Sequence, residues 1–210
     1  QSATSAATSA VANVNDDPTG SVAISGTATE DQTLSITNTL ADEDGLGSFS
    51  YQWARAGTAI SGATSATYAL VQADVGSTIT VTVSYTDAQG TAQSATSAAT
   101  SAVANVNDDP TGSVVIANAA SAAEDVTLTI TNTLADEDGL GSFSYQWARA
   151  GSAISGGTSA TYALVQADVG STITVTVSYT DAQGTAESET SAATGAVANV
   201  NDDPTGSVAI

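Results

Sequence analysis

Apolar and polar residues alternate along much of the chain with the period of two expected of a half-buried strand. Ile79, Val81, Val83 and Tyr85 interleave with Thr78, Thr80, Thr82 and Ser84. Leu34 and Ile36 interleave with Thr33, Ser35 and Thr37, and Phe49, Tyr51 and Trp53 with Ser50, Gln52 and Ala54. No window carries the apolar stripe of an amphipathic helix. Val, Ile and Thr suit a pleated surface, and Gly or Asp clusters punctuate the runs. The pattern predicts strands over 20–25 (A), 32–38 (B), 48–56 (C), 58–60 (a short strand), 66–70 (E), 77–86 (F) and 91–103 (G). About seven short strands with turns every 8–12 residues imply an all-β, antiparallel sandwich.

The same pattern then recurs. The string Asn-Val-Asn-Asp-Asp-Pro-Thr-Gly begins at Asn13, Asn105 and Asn199, spacings of 92 and 94 residues. Residues 31–101 match 125–195 with seven differences over 71 positions, among them Gln32/Val126, Ala63/Gly157 and Gln93/Glu187. The two extra residues of the second copy fall between Val114 and Glu124. One unit spans 15–106 and a second 107–200. Residues 1–14 repeat the end of a unit, and 201–210 the beginning of one. The chain is therefore expected to be an excerpt from a longer tandem array. A repeat of this size exceeds a solenoid turn of about 20–45 residues and suits an independent domain. Residues 1–14 lack a domain of their own and are expected to be disordered or to add to a neighbouring sheet edge.

Charge narrows the function. The chain has 210 residues, with 22 Asp and Glu against 2 Arg, no His and no Cys, for a net charge of −20. Nucleic acid is excluded as a partner, because binding it requires cations that displace condensed counterions. An anionic membrane surface is disfavoured on the same ground. Zinc sites, disulfides, thiol nucleophiles and Ser–His pairs lack their residues. No side chain titrates near neutrality at its ordinary pKa, so acid–base catalysis would need a strongly shifted carboxylate. Composition thus points to a structural or binding protein, not an enzyme. No run of about 18 apolar residues offers a membrane span, and Gln1-Ser2-Ala3-Thr4 does not begin a signal peptide.

The stretch Tyr51-Gln52-Trp53-Ala54-Arg55-Ala56-Gly57, followed by Ile60, Gly62, Tyr68, Leu70 and Asp74-Val75-Gly76, resembles an immunoglobulin-type domain. The resemblance implies that Trp53 and Trp147 sit in the core on strand C and that an Asp-x-Gly turn joins strands E and F. Both family cysteines are missing, and Thr78 stands where the corner tyrosine is expected. The fold expected is two tandem immunoglobulin-like sandwiches in an extended array.

Sandwich topology then sorts the acids by end. All nine in the first unit lie in a linker, a loop or a strand end, whereas the outward strand positions carry Thr, Ser, Ala and Gln. The preceding linker, the B–C loop and the F–G loop share the leading end. That end collects Asn13, Asn15, Asp16, Asp17, Asp42, Asp44 and Asp87, and in the second unit Asn105, Asn107, Asp108, Asp109, Asp136, Asp138 and Asp181. The A–B turn, the E–F turn and the following linker share the trailing end. Glu30, Asp31 and Asp74 lie there, with Asn105, Asn107 and Asp108; the second unit repeats them as Glu124, Asp125, Asp168, Asn199, Asn201 and Asp202. Stacking the units is expected to gather both sets at each junction. Unit charges about 4 Å apart repel by roughly 1–4 kcal/mol at surface-like dielectric. A hard cation taking 6–8 oxygens relieves that repulsion, and calcium suits many, mixed, irregular ligands better than magnesium does.

The linker Asn105-Val106-Asn107-Asp108-Asp109-Pro110 resembles the calcium-binding linker of cadherins, with Asn for Asp at its first position. That resemblance implies ligand roles for Glu30, Asp74, Asp136, Asp138 and Asp181. The unit as a whole is similar to the immunoglobulin-like extender repeats of large RTX-type bacterial adhesins. It implies a calcium-stiffened, monomeric spacer partnered by its neighbouring repeats, on a secreted or cell-surface protein of a Gram-negative bacterium using type I secretion. Such a spacer projects a distal domain for adhesion or biofilm formation, and Pro18, Pro110 and Pro204 stiffen its linkers. The plainer readings stand beside these. Asp74 and Asp168 pair with Arg55 and Arg149 or cap a turn; Asp87 and Asp181 open an Asp-Ala-Gln-Gly hairpin; the linker acids are simply solvated. An alternative function is a binding module gripping a glycan or protein through its B–C and F–G loops.

Overall fold

The computed structural model describes residues 1–203 and 206. Pro204 and most of the expected 201–210 fragment lie outside the described residues. The chain divides into two compact units, Gln1–Val106 and Asn107–Ile210.

The first unit runs β1 (Val22–Ser25), β2 (Thr33–Asn38), β3 (Ser50–Arg55), β4 (Thr58–Ala59), β5 (Thr67–Ala69), β6 (Ile79–Thr86) and β7 (Ala92–Thr96). One sheet has the order β1-β2-β5 and the other β4-β3-β6-β7, with every pairing antiparallel. The inward phase of the alternation comes from both sheets. Leu34 and Val22 from one meet Trp53, Ile79, Val81 and Val83 from the other. Each such Val, Leu or Ile contributes about 1.5–3 kcal/mol by leaving water. Trp53 is fully buried, stacks on Tyr68 at 5.7 Å between centroids, and donates its indole N–H to the Ser65 carbonyl at 2.9 Å. A buried indole needs that partner.

The second unit repeats the plan with β8 (Val114–Ile116), β9 (Thr127–Asn132), β10 (Ser144–Arg149), β11 (Ser152–Ala153), β12 (Thr161–Ala163), β13 (Ile173–Thr180) and β14 (Ala186–Thr190). Its sheets are β8-β9-β12 and β11-β10-β13-β14, closed over Trp147 and Leu128. The two extra residues are absorbed just after β8. A short 3-10 turn forms at Ala119–Ser121, and Asn118 bonds the Thr127 carbonyl and the Thr129 N–H of the facing strand.

Strand G departs from its expected length of 91–103. Regular pairing stops at Thr96, where hydroxyls enter the ladder: Val81 N–H donates to Ser97 Oγ and Ile79 N–H to Thr100 Oγ1. The chain then crosses to Val103, which is buried and bridges Val75, and to Ala104, which bridges Thr29. Residues 1–14 are exposed and form no strand.

Candidate metal centre

The leading end of the first unit is built by two turns that lock together. In the B–C loop Asp42 Oδ1 accepts the Asp44 N–H two residues on, at 2.9 Å, and Gly45 takes a positive φ of 93°. This is an Asx turn, the habit of Asp in loops. The loop then lies against the end of β6, where a Cβ on Gly47 would stand 2.0 Å from the Thr86 carbonyl oxygen. Only glycine permits that approach. In the F–G loop Asp87 Oδ1 accepts from Gln89 N–H at 2.9 Å and Thr91 N–H at 2.8 Å. The Ala88 N–H donates to the Asp44 carbonyl at 3.1 Å and joins the two loops. The preceding linker is tied in as well, since Asp16 N–H donates to Asp44 Oδ2 at 2.8 Å.

These contacts place Asp16, Asp42, Asp44 and Asp87 at one end of the sandwich. Asp44 and Asp87 are buried, at 8% and 6% exposure. Asp42 Oδ2 accepts the Tyr85 hydroxyl. Burial and that bond to a carboxylate push the Tyr85 pKa up to about 12, so the phenol remains a donor. The Oδ2 of Asp87 differs from all of these. It is buried and meets no hydrogen-bond donor. Burial favours the neutral acid at Asp87, but the N–H groups of Thr91, Gln89 and Gly90 outweigh it and hold the pKa below the usual carboxylate value. The result is a buried anion with one oxygen unanswered, a costly state without a cation.

The second unit reproduces each element. Asp136 accepts from the Asp138 N–H and the Tyr179 hydroxyl, Asp138 Oδ2 accepts the Asp108 N–H at 2.9 Å, and the Ala182 N–H donates to the Asp138 carbonyl. Asp181 is 6% exposed; its Oδ1 takes Gln183 and Thr185 N–H, and its Oδ2 is again buried without a partner. All these donors are hard oxygens, so the set fits calcium or magnesium and no soft metal.

The trailing ends are arranged differently. Asp74 is fully buried and both its oxygens are answered, Oδ1 by Arg55 Nε at 2.7 Å, Oδ2 by the Tyr68 hydroxyl and Val71 N–H at 3.0 Å each. Asp168 repeats this with Arg149, Tyr162 and Val165. Pairing with the arginine and capping of the turn, the two plainer roles expected of these residues, are both made. Glu30 is buried and its Oε2 accepts the Val106 N–H at 3.3 Å, while its backbone N–H bonds the Ala104 carbonyl. Glu124 is buried too, with the Gln166 amide nitrogen at 3.1 and 3.2 Å from its two oxygens once that amide is oriented to donate. Asn105 is half-buried, and its Oδ1 has no donor.

The remaining expected ligands lie at the surface. Asn13, Asp17, Asp31, Asn107, Asp109, Asp125, Asn199, Asn201 and Asp202 are exposed, as are Asn15 and Asp16, although Asn15 accepts from Gln93 Nε2 at 3.0 Å. Tyr85, Tyr179 and Gln93 belong to the leading ends and escaped the sequence reading. Each is an ordinary member of an alternating strand, and nothing in the alternation marks its tip as reaching an acid.

No family model matches the chain, and no curated protein matches it. Among solved structures, three N-terminal domains of the bacteriophage RB49 outer capsid protein Hoc show 20% identity over 85% of this chain and 59% of that one, with a TM-score of 0.32. A calcium-stabilised adhesin that helps an Antarctic bacterium reach out and bind ice shows 17% identity over 89% of this chain and 50% of that one, with a TM-score of 0.33. Fibronectin(III)-like modules of Clostridium thermocellum CbhA show 15% identity over 89% of this chain and all of that one, with a TM-score of 0.29. The chain thus spans 59% and 50% of the length of the first two. One of the three is fibronectin(III)-like by description, and at these scores the likeness carries no chemistry.

Proposed function

We propose that the chain is a spacer segment of a large secreted or cell-surface bacterial adhesin, in which calcium at the leading end of each immunoglobulin-like unit stiffens the array. The observation that carries this reading is the pair Asp87 and Asp181. Each is a buried anion with one oxygen lacking any protein donor among the described residues, at the same end of its unit as three further aspartates. Calcium is favoured because it accepts irregular sets of 6–8 oxygens at 2.3–2.6 Å, whereas magnesium demands near-octahedral geometry.

Stiffening follows from the linker. Asp108 is bonded through its backbone to Asp138, and Val106, two residues before it, to Glu30. A cation held by the leading-end acids would hold Asp108 against its own unit. Pro110 restricts the next step, since its ring fixes φ. Near-identity of the two units supports a spacer, whose task is length, over a module whose loops must be shaped for one ligand. An RTX-type protein exported unfolded suits low cytosolic calcium, where the acid clusters repel, and millimolar calcium outside, where they fold tightly. Extracellular calcium modules bind at about 10⁻⁴–10⁻³ M.

Small-angle scattering and a thermal melt, each in calcium and then in chelator, test the reading. The expected result is a shorter, broader distance distribution and a lower melting temperature after chelation. If both are unchanged, calcium does not stiffen this chain.

A further inference from the structure

Of the seven positions at which the aligned repeats differ, one falls on the leading end. Gln93 of the first unit is Glu187 in the second. Both are half-buried near the start of the last strand, directly across from Tyr85 and Tyr179 in their registers. Facing residues share a side of the sheet, so position 93 or 187 stands beside the tyrosine that holds Asp42 or Asp136.

The two residues use the linker in opposite senses. The Gln93 amide nitrogen donates to Asn15 Oδ1 at 3.0 Å and to the Asp16 carbonyl at 3.3 Å, taking up two oxygens. Glu187 has no proton to give. Its Oε1 instead accepts from Asn107 Nδ2 at 3.0 Å. The substitution thus withdraws a donor from the linker oxygens and adds an anionic oxygen.

We propose that Glu187 makes the leading end of the second unit a tighter calcium site than that of the first, so that nearly identical repeats are graded in affinity along the array. The acids alone would not make a site; the buried, unanswered Oδ2 of Asp181 points to a cation there independently. The inference rests on the calcium reading above. Ligand charge count is the ordinary means by which calcium sites are tuned. In such an array the tighter units bind calcium first, and stiffening proceeds in steps as the ion rises instead of all at once.

The test is a calorimetric titration of the full chain with calcium chloride, in three forms: unaltered, Glu187→Gln and Gln93→Glu. Each variant copies the residue its sister unit already carries, so both are compatible with the fold. The unaltered chain is expected to show two classes of site. Glu187→Gln weakens the tighter class and Gln93→Glu strengthens the weaker one, each by about three- to ten-fold. Unchanged constants in either variant overturn the grading and leave the calcium reading standing. Heats of dilution alone in the unaltered chain overturn both.

Discussion

Two buried aspartates at opposite ends of strand β6 have opposite solutions to the same problem. Asp74 precedes the strand and Asp87 follows it, with the eight residues of β6, about 23 Å from first to last, between them. Each has been removed from water. Asp74 receives the unit's one basic side chain, a tyrosine hydroxyl and a backbone N–H, so every oxygen is answered from within the chain. Asp87 receives backbone donors on one oxygen and nothing on the other. The difference teaches which acids are structural and which await something from outside. A buried carboxylate is no sign of a metal by itself, and only the imbalance between its oxygens and its donors separates the two cases.

The sharpest way to break the comparison is to remove the internal cation. Arg55→Ala leaves Asp74 buried and unpaired, and it is expected to cost about 3 kcal/mol, the low end for broken buried pairs because the arginine side chain is 30% exposed. Urea unfolding reads it, and calcium is expected not to rescue it. Rescue by calcium would mean that Asp74 is a ligand after all.

A smaller, conditional effect is expected at the other end. Calcium at 100 times its dissociation constant stabilises a domain by about 2.7 kcal/mol per ion. Asp87→Asn keeps the Oδ1 acceptor for Gln89 and Thr91 and removes the charge. It is expected to change the melting temperature little in chelator and to remove the calcium-dependent rise for the first unit, leaving that of the second. Equal loss in both conditions would assign Asp87 to turn-making alone.

The smallest effect concerns Tyr68. Its pKa is raised, first by burial and then by its bond to Asp74. A folded value above the unfolded one of about 10 means that its contribution is complete below pH 10 and fades as pH rises beyond it. Tyr68→Phe is expected to cost about 0.5–1.5 kcal/mol at neutral pH and to flatten the loss of stability in the alkaline range. Melts of both proteins between pH 8 and 11 compare them; parallel curves would deny the bond its role.

Much of this was legible before any coordinates. The alternation around Val81 and Trp53 marks strands and their inward faces, and sandwich connectivity then sends Asp42, Asp44 and Asp87 to one end. The truncation of strand G was not legible. No local signal says that the hydroxyls of Ser97 and Thr100 will take backbone N–H groups of β6. The split between Asp74 and Asp87 was equally hidden. Each is the single Asp of a Gly-containing turn, and the pairing with Arg55 depends on strands β3 and β6 lying side by side. Gln93/Glu187 is only one of seven differences in the sequence, and the register alone sets it across from a tyrosine that grips the acid loop.

The most direct measurement is a crystal structure of the chain grown in calcium, with anomalous differences recorded for the ion or for a lanthanide in its place. A peak about 2.3–2.6 Å from Asp87 Oδ2, and another at that distance from Asp181 Oδ2, is the predicted result. Water hydrogen-bonded to those oxygens in saturating calcium, with no anomalous signal, would contradict it.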